Sequence, residues 1–279
     1  MSAIPWQSIA TALSSEPLDH NGIYVHRDQI KKKLDPLCAP TILFSCFPKS
    51  GSTYITSVLK EVTGYQGAVL AYAEGGNDQQ LDPIRLIQHL QTPVIAHHHM
   101  RATLANLELM HLFSIKPLIH TRNLFDSVIS FKEFHEVLVD PENPMAFITD
   151  QFRVLPEQKR VDMIIDLVVP WYLHFYVSWK NFDQRFSLGI HWTCYEELLE
   201  DPQTLFDKIL DSCGIQPPKH ALEKALTNVG KDASTRFNKG VSGRGESLLS
   251  ENQKISIRSL CSYYSDVDFS PLGISPLGI

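Results

Sequence analysis

At 279 residues the chain is long for one domain but within the range of single α/β units. With 43% hydrophobic residues it can bury a sizeable core, and 20% charged residues argues against wholesale disorder. The formal net charge of −6 includes no long block of one sign, and the densest basic run, Lys31-Lys32-Lys33 beside Arg27, reads as a solvated helix face, so no nucleic-acid partner is expected. The cysteines (Cys38, Cys46, Cys194, Cys213, Cys261) are scattered with no CxxC pair, which fits thiols in a reducing compartment and indicates neither a disulfide framework nor a cysteine-rich zinc site. No basic segment followed by an apolar core opens the chain, so the expectation is a cytoplasmic protein. The most apolar stretch, Met163 to Trp179, is broken by Asp166, Pro170 and His174; it reads as a buried helix pair or a kinked helix, with no membrane span expected.

In chain order, residues 1–38 read as a polar N-terminal extension with one short helix. The apolar run Thr41–Phe47, ended by Pro48 and Gly51, has the pattern of a parallel strand buried on both faces, and Ile55, Val58, Leu59 and Val62 follow at helical spacing. The alternation recurs: a strand over 92–96 precedes a helix around 102–111, a strand over 116–121 precedes a helix from 124 to 138, and 188–193 precedes a helix over 195–200. This pattern predicts a single domain over 39–265 with a parallel β-sheet flanked by α-helices, and ligands bound beyond the carboxyl ends of the strands. The last third reads as helical, with a Gly-rich loop at 239–245 and a final helix from 250 to 262. The tail, 266–279, carries Ser-Pro-Leu-Gly-Ile twice, at 270–274 and 275–279, and is expected to be extended or loosely ordered.

Between the first strand and its helix lies Pro48-Lys49-Ser50-Gly51-Ser52-Thr53. A helix N-terminus presents N–H groups and a positive partial charge to an anion; Gly51 permits close backbone approach, and Lys49 adds a full charge. The order is not that of a Walker A loop, because the lysine precedes the glycine, and an ordinary strand-to-helix turn with serine caps is the alternative. The segment resembles the Pro-Lys-Ser-Gly-Thr-Thr signature of the sulfotransferases that use 3′-phosphoadenosine 5′-phosphosulfate (PAPS). That resemblance implies a P-loop-like fold and makes Lys49 catalytic, stabilising charge on the bridging oxygen. It also places Lys49, Ser50, Gly51, Ser52 and Thr53 around the 5′-phosphosulfate and Tyr54 near the adenine. Ser52 and Tyr54 depart from the family's Thr and Trp.

Arg122 ends the strand 116–121, and Ser130 lies eight residues on in the following helix. Asn123, Ser127 and Ser130 share a face of that helix, so both groups can converge on one anion; a surface ion pair of Arg122 is the alternative. The spacing is similar to the family's 3′-phosphate motif. The stretch from Arg236 to Gly245 alternates basic residues with glycines and is either a cationic loop that closes over a phosphate or a solvated linker. Lys239 and Gly240 match the family's Arg-Lys-Gly segment, Asn238 replaces its arginine, and Arg236 or Arg244 is left to supply the charge. Tyr195-Glu196-Glu197-Leu198 looks like the family's Tyr-Glu-Asp-Leu, whose tyrosine lies against the adenine; a tyrosine packed in the core is the other reading.

His97, His98 and His99 follow the strand 92–96. If the strand continues, His97 and His99 share a face and His98 points away, so replacing His98 is expected to be nearly silent. His-x-His on a strand also begins a zinc site, but no third ligand stands at recognisable spacing, and no metal is expected. Aligned with the family's Lys-Thr-His-Leu, His99 takes the general base position, with His97 where Lys is usual and His98 where Thr is usual. The resemblance thus implies sulfuryl transfer from PAPS to a small-molecule hydroxyl acceptor, leaving adenosine 3′,5′-bisphosphate. A P-loop kinase-like transferase and a non-catalytic nucleotide-binding module are the rival classes. Segments 67–91 and 139–160, with Met145, Phe147 and Phe152, are candidates to line the acceptor pocket.

Overall fold

The computed structural model describes residues 29–72, 79–137, 148–186, 189–230 and 240–275. Its centre is β1 (Thr41–Cys46), whose last five residues are all buried, as an apolar run covered on both faces requires. Gly51 and Gly64, both left-handed, bracket helix α1 (Ser52–Thr63). Then come β2 (Gln66–Ala68), α2 (Pro83–Gln88), β3 (Val94–His98), α3 (Leu104–Leu112), β4 (Pro117–Thr121) and α4 (Leu124–Val137). Helices α5 (Gln151–Val154), α6 (Glu157–Leu167) and α7 (Val169–Phe186) precede β5 (His191–Cys194). The chain continues through α8 (Tyr195–Glu200), α9 (Pro202–Ser212), α10 (Ala221–Gly230), α11 (Arg244–Leu248) and α12 (Glu251–Ser262).

Among the described residues the sheet has five strands in the order β2-β3-β1-β4-β5, every pairing parallel. The expected parallel sheet flanked by helices is the observed architecture. Because the chain crosses from β3 to β4 on the other side of β1, the carboxyl ends of β3, β1 and β4 meet at one crevice. Two elements escape the sequence pattern. Strand β2 is Gln-Gly-Ala, without an apolar run, and sits at the sheet edge. Strand β3 runs two residues past the expected end at 96, so His97 and His98 are strand residues, paired in register with Phe44 and Ser45.

The apolar stretch after 160 is a pair of consecutive helices, α6 and α7, with Pro170 at the second position of α7, where its missing N–H costs nothing. By length and composition alone, Glu157–Phe186 is long and apolar enough to cross a membrane. In the fold that surface is spent on the core: Tyr172, Phe175, Tyr176 and Trp179 are fully buried. Phe152, expected near an acceptor pocket, is likewise core, packed beside the His135 ring. Met145 and Phe147 lie outside the described residues, as do residues 1–28 of the N-terminal extension.

The first copy of the repeated pentapeptide is not loose. Phe269, Leu272 and Ile274 are buried in the main core, and the Tyr176 hydroxyl donates to the Asp268 carbonyl at 3.0 Å. The second copy falls at 275–279, of which only Ser275 is described. Leu272, with no exposed surface, therefore anchors the tail. Leu272→Ala should lower unfolding free energy by about 2–5 kcal/mol, read from the urea midpoint at unchanged slope.

Candidate active site

The loop after β1 is shaped by its carbonyls. Lys49 and Gly51 both have positive φ, 66° and 81°, and for Lys49 this costs about 1–2 kcal/mol against the right-handed conformation. Three side chains, from α7, from β4 and from the residue after β4, hold the strained turn. The Tyr172 hydroxyl on α7 donates to the Pro48 carbonyl at 3.0 Å, Arg122 Nη1 to the Lys49 carbonyl at 2.8 Å, and His120 Nε2–H to the Ser50 carbonyl at 2.8 Å. Burial pushes the Tyr172 phenol well above its usual range, so it stays a donor. His120 can donate from Nε2 because its Nδ1 accepts from the Thr193 hydroxyl at 2.8 Å. Ser50, fully buried, spends its hydroxyl on the Phe47 carbonyl, so its contribution to a ligand is its backbone N–H. With the carbonyls drawn inward, the Ser52 and Thr53 N–H groups open α1, where helical geometry offers no intrahelical partner. The N-cap is Gly51, which brings no capping side chain.

Around this loop the structure gathers most of the residues singled out in the sequence. Thr53 is exposed, Ser52 buried, and Tyr54 half-buried on the first turn of α1. The Lys49 ammonium rests over the Phe134 ring, 4.2 Å from its centre, and Phe134 stands one turn beyond Ser130 on α4. Arg122 joins three parts at once. Besides Lys49, its guanidinium covers the Tyr195 ring at 4.1 Å and reaches the Val241 carbonyl at 3.5 Å, and its buried Nε has no partner among the described residues. Tyr195 is 4% exposed and packs against Gly51, where an added Cβ would stand 3.0 Å from its ring; the site it fills is the wall behind the loop.

The glycine-rich strap is stapled to α4. Asp126, buried at its first turn, accepts the Gly243 N–H at 2.7 Å, the Gly245 N–H at 2.6 Å and the Ser242 hydroxyl at 3.2 Å. A Cβ on Gly245 would lie 2.3 Å from the Phe125 backbone, so only glycine fits there. Arg244 turns to Glu133 in a two-pronged ion pair and does not reach into the loop. Gly240 takes φ 60°, while Lys239, Arg236 and Asn238 lie outside the described residues.

At the end of β3 the alternation holds: the His97 and His99 rings meet edge to face at 5.0 Å, and His98 lies on the opposite face. His99 donates Nδ1–H to the Cys46 carbonyl at 2.9 Å, which leaves Nε2 with a free lone pair. Burial lowers its pKa, the Cys46 carbonyl raises it, and the Lys49 charge lowers it again, so the ring is neutral at pH 7. His98 corrects the expectation that it is idle. Its Nε2 accepts the Leu70 N–H at 3.0 Å and its Nδ1 donates to Gln79 Oε1, which also accepts the His99 N–H at 2.7 Å. Replacing His98 would strand a buried backbone donor and loosen the residue beside it.

The sequence reading missed His120, Tyr172 and Asp126. His120 carried a visible signal, a lone histidine inside an apolar strand; Tyr172 and Asp126 had none, because their partners lie 124 and 117–119 residues away.

No known protein-family profile matches the chain, and no curated protein matches it in sequence. Solved structures do. Mouse sulfotransferase SULT7A1 complexed with PAP superposes with a TM-score of 0.59 at 16% identity, covering 85% of this chain and 89% of that one. Retinol dehydratase, in complex with androsterone and inactive cofactor PAP, gives 0.55 at 13% identity over 87% and 86%. The chain therefore has the sulfotransferase fold.

His120 also makes stability depend on pH. Burial first of all, partly offset by the Ser50 carbonyl, lowers its pKa from 6.5 to about 4. Between those values the unfolded chain binds the proton and the native one does not, so stability is intact above pH 6.5 and falls as pH drops toward 4. The full loss is about 3 kcal/mol, and chemical unfolding of His120→Asn across the same range should show a flatter pH slope than wild type.

Proposed function

We propose that this sulfotransferase-fold chain transfers a sulfuryl group from PAPS to a hydroxyl of a small-molecule acceptor. The observation that carries the reading is the pairing at one crevice of a phosphate-type loop bearing Lys49 with a neutral, oriented imidazole, His99, on the neighbouring strand end. The shared fold, in neighbours crystallised with PAP, supports the same donor.

The residues divide the reaction as follows. His99 Nε2 takes the acceptor's proton as its oxygen attacks sulfur, and the bond from sulfur to the bridging phosphate oxygen breaks. Negative charge grows on that leaving oxygen, where Lys49 and the first N–H groups of α1 stabilise it. Donors held in advance act strongly because they need no reorganisation during the step, and the three carbonyl bonds hold these. The product, adenosine 3′,5′-bisphosphate, carries a 3′-phosphate that we assign to Arg122 and Ser130. Arg122 has in Nε a buried donor without a partner among the described residues, which an anion would satisfy. In this reading Tyr195 backs the loop, Tyr54 and Thr53 face the nucleotide, and the strap of Gly240 to Gly245, stapled by Asp126, closes the 3′ side with Lys239. Arg244 serves the strap through Glu133.

Three measurements test this. Adenosine 3′,5′-bisphosphate should bind more tightly than adenosine 5′-phosphate or ATP by calorimetry. Ser130→Ala should weaken the bisphosphate by about 5–10-fold and leave adenosine 5′-phosphate unchanged, the worth of one hydrogen bond; equal weakening of both would contradict the 3′ assignment. Arg122→Ala is the poorer probe, since it also releases the Lys49 carbonyl. In a PAPS-dependent screen across acceptor classes, read by bisphosphate release, Lys49→Ala should lower kcat and kcat/KM together, because the charge it meets develops only as the bond breaks. His99→Ala should lower kcat by about 10²–10⁴-fold with donor binding retained.

A further inference from the structure

We propose that Cys46, His97 and His99 form a binding site for a thiophilic divalent cation of the Zn²⁺ class, and that the bound ion takes the imidazole needed as base. The sequence shows only the two histidines; the fold supplies the third donor. Cys46 ends β1, and the parallel register that pairs Phe44 with His97 puts Cys46 level with His99 on the same face of the sheet. The thiol and one nitrogen from each imidazole lie within 4.8 Å of one another. Tetrahedral zinc, about 2.0–2.3 Å from its ligands, needs donors about 3.3–3.7 Å apart, so side-chain rotation closes the set around an ion.

A second observation is independent of that spacing. His97 Nε2 is buried with no hydrogen-bond partner among the described residues, an uncommon state for a polar atom in a folded chain. The sulfuryl-transfer reading uses Lys49 and His99 and leaves His97 without a task. A metal ion gives that nitrogen a partner.

The chemistry of the donors fits. Burial, together with the neighbouring histidines, keeps His97 well below its usual pKa, and His99 is lowered too, so both imidazoles are neutral ligands at pH 7. Nitrogen and sulfur donors select zinc-class ions over Mg²⁺ or Ca²⁺. His99 Nδ1, 3.6 Å from the thiol, gives its hydrogen to the Cys46 carbonyl, so the nitrogen left for the ion is Nε2, with that hydrogen bond as the outer contact that orients the ring. The opposing cost is the Cys46 thiol, pushed up to about 12 by burial. Binding exchanges its proton for the metal, releasing one H⁺ to solvent; the thiolate then offsets part of the ion's charge beside Lys49. Three protein ligands leave the fourth position open to water. An ion held this way uses the His99 lone pair. Metal and proton then compete for the base, and that consequence rests on the sulfuryl-transfer reading, whereas the site itself does not.

The test uses the full chain, stripped with chelator and titrated with Co²⁺, then Zn²⁺. Wild type should bind one ion and show tetrahedral cobalt bands with a thiolate-to-cobalt charge-transfer band. Cys46→Ser should lose that band, and His97→Gln should weaken Zn²⁺ by about tenfold or more at unchanged circular dichroism. Should the buried Cys46 variant fail to fold, His97→Gln alone decides. Absence of the charge-transfer band in wild type, or wild-type Zn²⁺ affinity in His97→Gln, overturns the site. Zn²⁺ should also inhibit sulfuryl transfer reversibly; transfer undiminished with metal bound would overturn the claim on His99. Metal binding in a protein that transfers no sulfuryl group would leave the site standing and remove the proposed reaction.

Discussion

The carbonyls of Pro48, Lys49 and Ser50 are each held by a side chain from elsewhere in the fold, and the crevice is organised around that restraint. A turn with two left-handed residues in three is not a shape a chain keeps unaided. Each buried hydrogen bond contributes about 1 kcal/mol net, and more where the donor is charged, so together the three exceed the strain at Lys49. Their donors come from α7, from the residue after β4 and from β4 itself. The loop's geometry is therefore a property of the assembled sheet and helix layer, and any loosening of that layer is felt at the N-terminus of α1.

Arg122 extends the restraint to the other side of the crevice. One guanidinium touches the loop through Lys49, the wall through Tyr195 and the strap through Val241. Asp126, in the first turn of α4, ties the strap down by two backbone N–H groups and a hydroxyl. Such a carboxylate is stabilised at a helix N-terminus, near the positive end of the helix dipole. Loop, wall and strap thus share a few residues at the start of α4, and a ligand bound between them would bear on all three.

The three histidines show how two faces of one strand divide labour. His98, turned toward Leu70 and Gln79, holds backbone; His97 and His99, turned toward Cys46, present nitrogen and sulfur to one small volume. Parallel pairing carries that face from β3 to β1 without a break in register. The proposed base and the proposed metal ligand are then one imidazole in two states of occupancy.

Much of this was legible along the chain. The buried runs of β1 and β4, the helices after them and the Lys49 loop are local patterns, written in hydrophobic period and turn residues, and they determined the parallel architecture and the place of the crevice. So did the alternation that separates His98 from its neighbours. Strand β2 was not legible, because Gln-Gly-Ala has no apolar signal and, among the described residues, pairs at the sheet edge with β3 alone. The tail looked loose because a pentapeptide rich in Pro and Gly gives no periodicity, yet Leu272 finds a fully buried place against residues far from it in sequence. Tertiary structure alone decided that His120 and Tyr172 shape the loop, that Arg244 is paired with Glu133, and that Cys46 stands beside His97 and His99. The reason is the same in each case: these are contacts across 50 residues or more, and spacing along a chain encodes period and turn but not which distant side chains meet.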